Sequence, residues 1–139
     1  VGIAFAVTIA DCVPVFIAHP GGAFALLHSG WRGTAARITE RALALFEERG
    51  LRASSLYVHL GPAICGECYE VSPEVHAELT GRSVAAPTTV DLRSLIASHA
   101  SAAGVRRITI SPFCTRHHND RFFSHRAGDA GRQIAVLGG

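Results

Sequence analysis

The length and spacing of the apolar runs constrain this chain most. Residues 2–9 (GIAFAVTI), 13–18 (VPVFIA), 23–28 (AFALLH), 56–60 (LYVHL) and 105–110 (VRRITI) are short, and turn residues such as His19-Pro20-Gly21-Gly22 and Gly61-Pro62 separate them. Short apolar runs bounded by Gly and Pro form strands, and none approaches the ~20 residues of a membrane span. The nearly unbroken apolarity of 2–9 predicts a strand buried on both faces. Helical spacing lies between the runs. Ile38, Ala42, Leu45 and Phe46 recur within 35–49, with Thr34 as N-cap and Gly50 as stop. Ser72-Pro73-Glu74 starts another helix, with Pro at its first position and an acid in its first turn. Asp91 caps a third through 92–103, ended by Gly104. Residues 81–89 read as loop, and Phe122-Phe123 and 133–137 as short strands. Strands and helices that interleave around one core predict a single mixed α/β or α+β domain over 1–139.

The 139 residues are 48% apolar and 17% charged, a globular composition able to bury roughly two-thirds of the unfolded surface. No basic-then-apolar leader opens the chain, which reads as cytoplasmic. It contains no Met and begins at Val1 inside an apolar run, so a piece of a longer protein is expected. All 13 basic residues are Arg, and the net charge of +2 is too small to argue for nucleic acid. Arg116, Arg121, Arg126 and Arg132 read as a solvated face. Without secretory features, Cys12, Cys65, Cys68 and Cys114 are expected as reduced thiols, metal ligands or a nucleophile.

Three features carry possible chemistry. If the 13–18/23–28 hairpin turns about Pro20, paired positions sum to 40 and Cys12 faces His28, roughly 4.5–5.5 Å apart at Cβ. Such a pair shares a zinc, forms a nucleophile and base, or is an inert core thiol beside a satisfied imidazole. Gly30-Trp31-Arg32-Gly33 before a helix offers backbone N–H groups and a guanidinium to an anion, or is a tight turn with Trp31 on the core. Cys65-Gly66-Glu67-Cys68 is a lone C-x-x-C and reads as two loop thiols, because a zinc ribbon needs a second pair. His117-His118 reads as solvent-exposed. Phe122-Phe123-Ser124-His125-Arg126 either brings Arg126 toward an anion or packs a strand end.

Thr8-Ile9-Ala10-Asp11-Cys12-Val13-Pro14-Val15, His28-Ser29-Gly30-Trp31-Arg32-Gly33-Thr34, Gly61-Pro62-Ala63-Ile64, Tyr69-Glu70-Val71, Asp91-Leu92, Cys114-Thr115, Phe122 to Arg126 and Gly131-Arg132 occur in that order. Together they resemble the YfiH-type family, long labelled laccase-like or polyphenol oxidase and now regarded as purine nucleoside phosphorylases. The resemblance runs from Val1 to Gly139. It implies an α+β sandwich of two packed mixed sheets with helices outside, in a protein about 100 residues longer than this chain. It also implies phosphorolysis of adenosine, inosine, guanosine or methylthioadenosine to base and ribose 1-phosphate, with adenosine deamination alongside. The family's zinc, held by one Cys and two His, maps onto Cys12 and His28. Its other His lies in a Val-His-Gly segment upstream of Val1, so residues 1–139 alone are expected to hold zinc weakly or not at all and to turn over no nucleoside.

Two differences accompany the match. Ser29 stands for Ala, and the Cys12–His28 spacing is one residue shorter. The family's frequent double Cys before Tyr is Glu67-Cys68 here, a variability that argues against a metal role for the C-x-x-C. On position, Arg32 and Gly33 are assigned to phosphate, Arg126 to the anionic substrate, and Asp11 to proton handling or polar support. A Cys12–His28 hydrolase and a C-x-x-C metal or redox binding module are the alternatives. Copper oxidation ranks low, because a blue-copper site needs a two-His, one-Cys set, often with an axial Met, and a multi-His cluster for oxygen.

Overall fold

The computed structural model describes residues 2–139. In chain order its elements are β1 (Ala4–Ile9), β2 (Val13–Ala18), β3 (Phe24–Ser29), α1 (Trp31–Ala35), α2 (Ile38–Glu48), β4 (Tyr57–Leu60), β5 (Glu70–Val71), α3 (Pro73–Thr80), β6 (Thr88–Thr89), α4 (Leu92–Ala102), β7 (Arg107–Ile110) and β8 (Gln133–Gly138). A four-stranded sheet has the order β3-β2-β4-β7, antiparallel except for the parallel pair β4–β7. β1 and β8 form an antiparallel ribbon against the β3 side, and β5 pairs with β6. The class is the expected mixture of helices with several sheets.

The central strand β2 buries Val13, Val15 and Ile17 completely. Leu43 and Phe46 of α2 and Leu92 and Ile96 of α4 share that core, each apolar side chain contributing about 1.5–3 kcal/mol by leaving water. Ser72 caps α3 by accepting the Val75 N–H, and Asp91 caps α4 by accepting that of Ser94. Gly50, Gly81 and Gly104 follow helix ends at positive φ, where a Cβ is strained.

Six local expectations are corrected. The hairpin turns about Gly21, because His19 N–H bonds the Ala23 carbonyl and Gly22 N–H that of His19. Positions therefore sum to 42, and His28 faces Pro14 instead of Cys12. The helix expected over 35–49 begins only at Ile38, because Arg37 takes φ 61° and separates it from α1, which ends at Ala35. Thr34 lies inside α1, its hydroxyl bonded to the Gly30 carbonyl at 2.7 Å and to Ser29 Oγ at 2.9 Å, so it caps nothing. Within 81–89, Thr88-Thr89 adds a short strand, while Phe122-Phe123 lies in irregular loop outside any strand. β1 is mostly exposed, because its ribbon with β8 leaves an outer face uncovered.

Candidate active site and metal-ligating cluster

A cavity of ≈ 310 Å³ forms where Asp11-Cys12 enter β2. Trp31 and Arg32 of α1, Tyr69 before β5, and His125-Arg126 from the loop before β8 line it too, over an apolar base that includes Ile64 and Leu92. Four of the sequence-assigned residues (Asp11, Cys12, Arg32 and Arg126) therefore share one wall. His28 and Gly33 do not line it. His28 is exposed on β3, and Gly33 packs inside α1 near Ser29 and Ile38. Because α1 is only five residues long, the case for an anion there rests on the Arg32 side chain, not on a helix N-terminus.

Asp11 holds the wall together. It takes φ 85°, a left-handed conformation that Asp tolerates better than most residues, and its carboxylate is buried. Oδ1 accepts the Thr115 hydroxyl at 2.7 Å, Oδ2 accepts the Arg126 backbone N–H at 2.8 Å, and its carbonyl accepts the Ile64 N–H. The Arg126 guanidinium stacks 4.5 Å above the Tyr69 ring and donates to the Glu70 carbonyl. Arg32 stacks on Trp31 at 4.6 Å. Burial, then the Asp11 charge, pushes the Cys12 thiol up, with Arg132 opposing. Burial also raises the Tyr69 hydroxyl against the pull of Arg126, so it remains an O–H donor at neutral pH. Sequence reasoning gave Tyr69 and His125 no role, although both stand in the segments that carry the resemblance.

The second constellation overturns a reading. Cys65, Cys68, Cys114 and His117 bring their ligand atoms within 4.8 Å of one another, a set able to hold a metal ion. His117 Nδ1 lies 3.7 Å from Cys65 Sγ and its Nε2 3.3 Å from Cys68 Sγ. Cys114 Sγ accepts the backbone N–H groups of Cys65 and His117. Burial works against ionisation of Cys114, yet these donors outweigh it and lower its thiol; burial and the neighbouring thiols lift Cys68 to about 12. The C-x-x-C is thus not a lone pair of loop thiols. Its second pair is Cys114-x-x-His117, hidden because the partner is C-x-x-H and lies 49 residues away.

This fold is shared with known proteins. The family model described as "Multi-copper polyphenol oxidoreductase laccase" matches residues 1–138. The chain is 36% identical to "Purine nucleoside phosphorylase ORF3" of Streptomyces griseus, covering 94% of this chain and 56% of that one. It is 35% identical to "Adenosine deaminase RL5" from an unknown prokaryotic organism, over 90% of this chain and 53% of that one. The crystal structure of YlmD from Geobacillus stearothermophilus superposes with a TM-score of 0.92 at 32% identity, covering 98% of this chain and 57% of that one. The chain belongs to this laccase-labelled YfiH family, and it spans little more than half the length of these relatives.

Proposed function

We propose that this chain supplies one wall of the active site of a zinc-dependent purine nucleoside phosphorylase, with adenosine deamination as a side activity. The carrying observation is that Asp11, Cys12, Arg32 and Arg126, far apart in sequence, converge on one cavity. The names of the relatives support the same chemistry. Both arginines are exposed at the cavity, and the aromatic ring under each limits where its guanidinium can swing. In this reading they hold phosphate for attack on the anomeric carbon. The glycosidic C–N bond breaks as the new C–O bond forms, and the purine leaves with the bonding electrons and takes up a proton. The protonated Tyr69 hydroxyl is positioned to hydrogen-bond the purine. Asp11 is a positioning residue, since both its oxygens already hold protein donors.

Cys12 and His28 fit a zinc as a partial donor set. Thiolate and imidazole are zinc's usual protein ligands. A Cβ at Gly30 would fall 2.8 Å from Cys12 Sγ, so Gly30 is what leaves room for the sulfur. Pro14, facing His28, is two residues along the chain from Cys12. A third ligand would come from residues outside 1–139. Zinc held there would supply Lewis acidity and a more acidic bound water. A Cys–His hydrolase is disfavoured, because no hydrogen bond joins the Cys12 thiol to the His28 imidazole among the described residues. Copper oxidation is disfavoured because the one tight ligand group among those residues has three thiols and a single imidazole.

The test incubates the intact gene product with adenosine. Adenine and ribose 1-phosphate are expected only with phosphate, and inosine without it. No adenine in the presence of phosphate would reject the phosphorylase. Arg32→Ala is expected to raise the KM for phosphate about 10–100-fold, the loss of a hydrogen bond to a charged group. An unchanged phosphate dependence would remove Arg32 from that role.

A further inference from the structure

We propose that Cys65, Cys68, Cys114 and His117 form a structural zinc site, separate from Cys12 and His28 and complete within this chain. The proposal does not rest on the phosphorylase reading. The topology assembles the site. β4 and β7 are parallel neighbours with Leu60 beside Ile110, so the loops leaving them emerge at the same edge. A parallel bridge between Ala63 and Cys114 keeps those loops side by side, with Thr115 N–H donating to the Ala63 carbonyl. The two loops carry related patterns, the second one residue shorter between Pro and Cys. Gly61-Pro62-Ala63-Ile64-Cys65-x-x-Cys68 follows β4, and Ser111-Pro112-Phe113-Cys114-x-x-His117 follows β7. Each delivers two ligands three residues apart, the spacing of paired zinc ligands.

Distances and surroundings fit zinc. Tetrahedral bonds of about 2.3 Å to sulfur and about 2.0 Å to nitrogen put ligand sulfurs about 3.8 Å apart and sulfur and nitrogen about 3.6 Å apart. His117 Nδ1 lies 3.7 Å from Cys65 Sγ, close to that edge, and one ligand atom from each of the four residues lies within 4.8 Å of the others. Backbone N–H groups aimed at Cys114 Sγ stabilise a thiolate and act as its outer support. Three thiolates with one imidazole select a soft or borderline ion, and four protein ligands leave no open position for substrate. The site is therefore a staple. It ties the loop that presents Tyr69, next to Cys68, to the loop whose Thr115, next to Cys114, holds Asp11. The expectation that residues 1–139 bind zinc weakly is revised, since this set needs no ligand from elsewhere.

The experiment purifies residues 1–139 under reducing conditions after expression with zinc, and measures metal per chain. One zinc is expected, kept in Cys12→Ser and His28→Ala and lost in Cys65→Ser and His117→Ala. His117 is exposed, so its substitution leaves the core intact. Cobalt(II) exchanged into the chain should show the intense visible bands of a tetrahedral thiolate site. His117→Cys should keep one metal per chain and strengthen the sulfur-to-cobalt charge transfer. A chain without metal, or zinc that leaves with Cys12→Ser and stays with His117→Ala, would overturn the proposal. So would cobalt bands of octahedral weakness.

Discussion

At the residue scale, Asp11 shows how a candidate site residue can be found in the sequence while its contacts are not. Its place in the motif beside Cys12 points to chemistry, but what it contacts depends on Thr115 and Arg126, more than a hundred residues away. Asp11→Asn presents an amide N–H to one of two groups that already donate. A buried donor then loses its acceptor, at about 1–3 kcal/mol, or roughly 3–10 °C in Tm. Arg32→Ala, at an exposed position, should leave Tm within about 1 °C. Thermal unfolding of the two variants separates the buried Asp11 carboxylate, which holds two donors, from the exposed Arg32 guanidinium; an Asp11→Asn chain as stable as the parent would refute the clamp. Cys12 and His28 were legible as a candidate pair, but their separation was not. Moving the hairpin centre by one residue, from Pro20 to Gly21, moves every partner by two.

At the element scale, what was local was legible. The caps Ser72 and Asp91 and the stops Gly50 and Gly104 act through side chains or backbone within a turn of themselves, so sequence alone identifies them. The break at Arg37 was not legible, because no Gly or Pro marks it. The metal-ligating quartet needed the parallel pairing of β4 and β7, although the repeated Pro then Cys-x-x pattern after two strands was its visible trace. Gly66, between Cys65 and Cys68, links this cluster to α4. A Cβ there would meet the Asp91 Cβ at 2.9 Å, so the loop lies directly on the cap of α4. Gly66→Ala should displace the loop and loosen the cap, costing roughly 1–3 kcal/mol as overpacking does. It should also weaken cobalt(II) affinity measurably, whereas Asp91→Ala alone should cost about 1 kcal/mol from the lost cap. Equal cobalt affinity in Gly66→Ala and the parent would show that the close approach does not constrain the cluster.

At the scale of the whole molecule, the ribbon of β1 and β8 departs furthest from its sequence. An apolar run such as 2–9 ordinarily signals burial on both faces, yet Phe5 is 51% exposed, and Ile134 and Val136 on β8 are 64% and 58% exposed. Register explains which face is open. Thr8 pairs with Ile134 and Ala6 with Val136, so these residues share the outer face, while Phe5 turns toward Phe24 at 5.5 Å. Phe5 and Ile3 also line a second, apolar cavity of ≈ 520 Å³ shared with Leu45 and Phe46 of α2. Apolar surface of this extent is uncommon on a monomer and attracts other apolar groups. The 139-residue chain should therefore enhance the fluorescence of an apolar dye such as ANS while still showing a cooperative thermal transition, which sets it apart from a molten globule. Replacing Ile134 and Val136 together by Thr keeps β-branched side chains suited to a strand while removing apolar area, and should cut that fluorescence at little cost in Tm. If the dye signal is absent in the parent, or unchanged in the double variant, the outer face of the ribbon is not an available apolar surface.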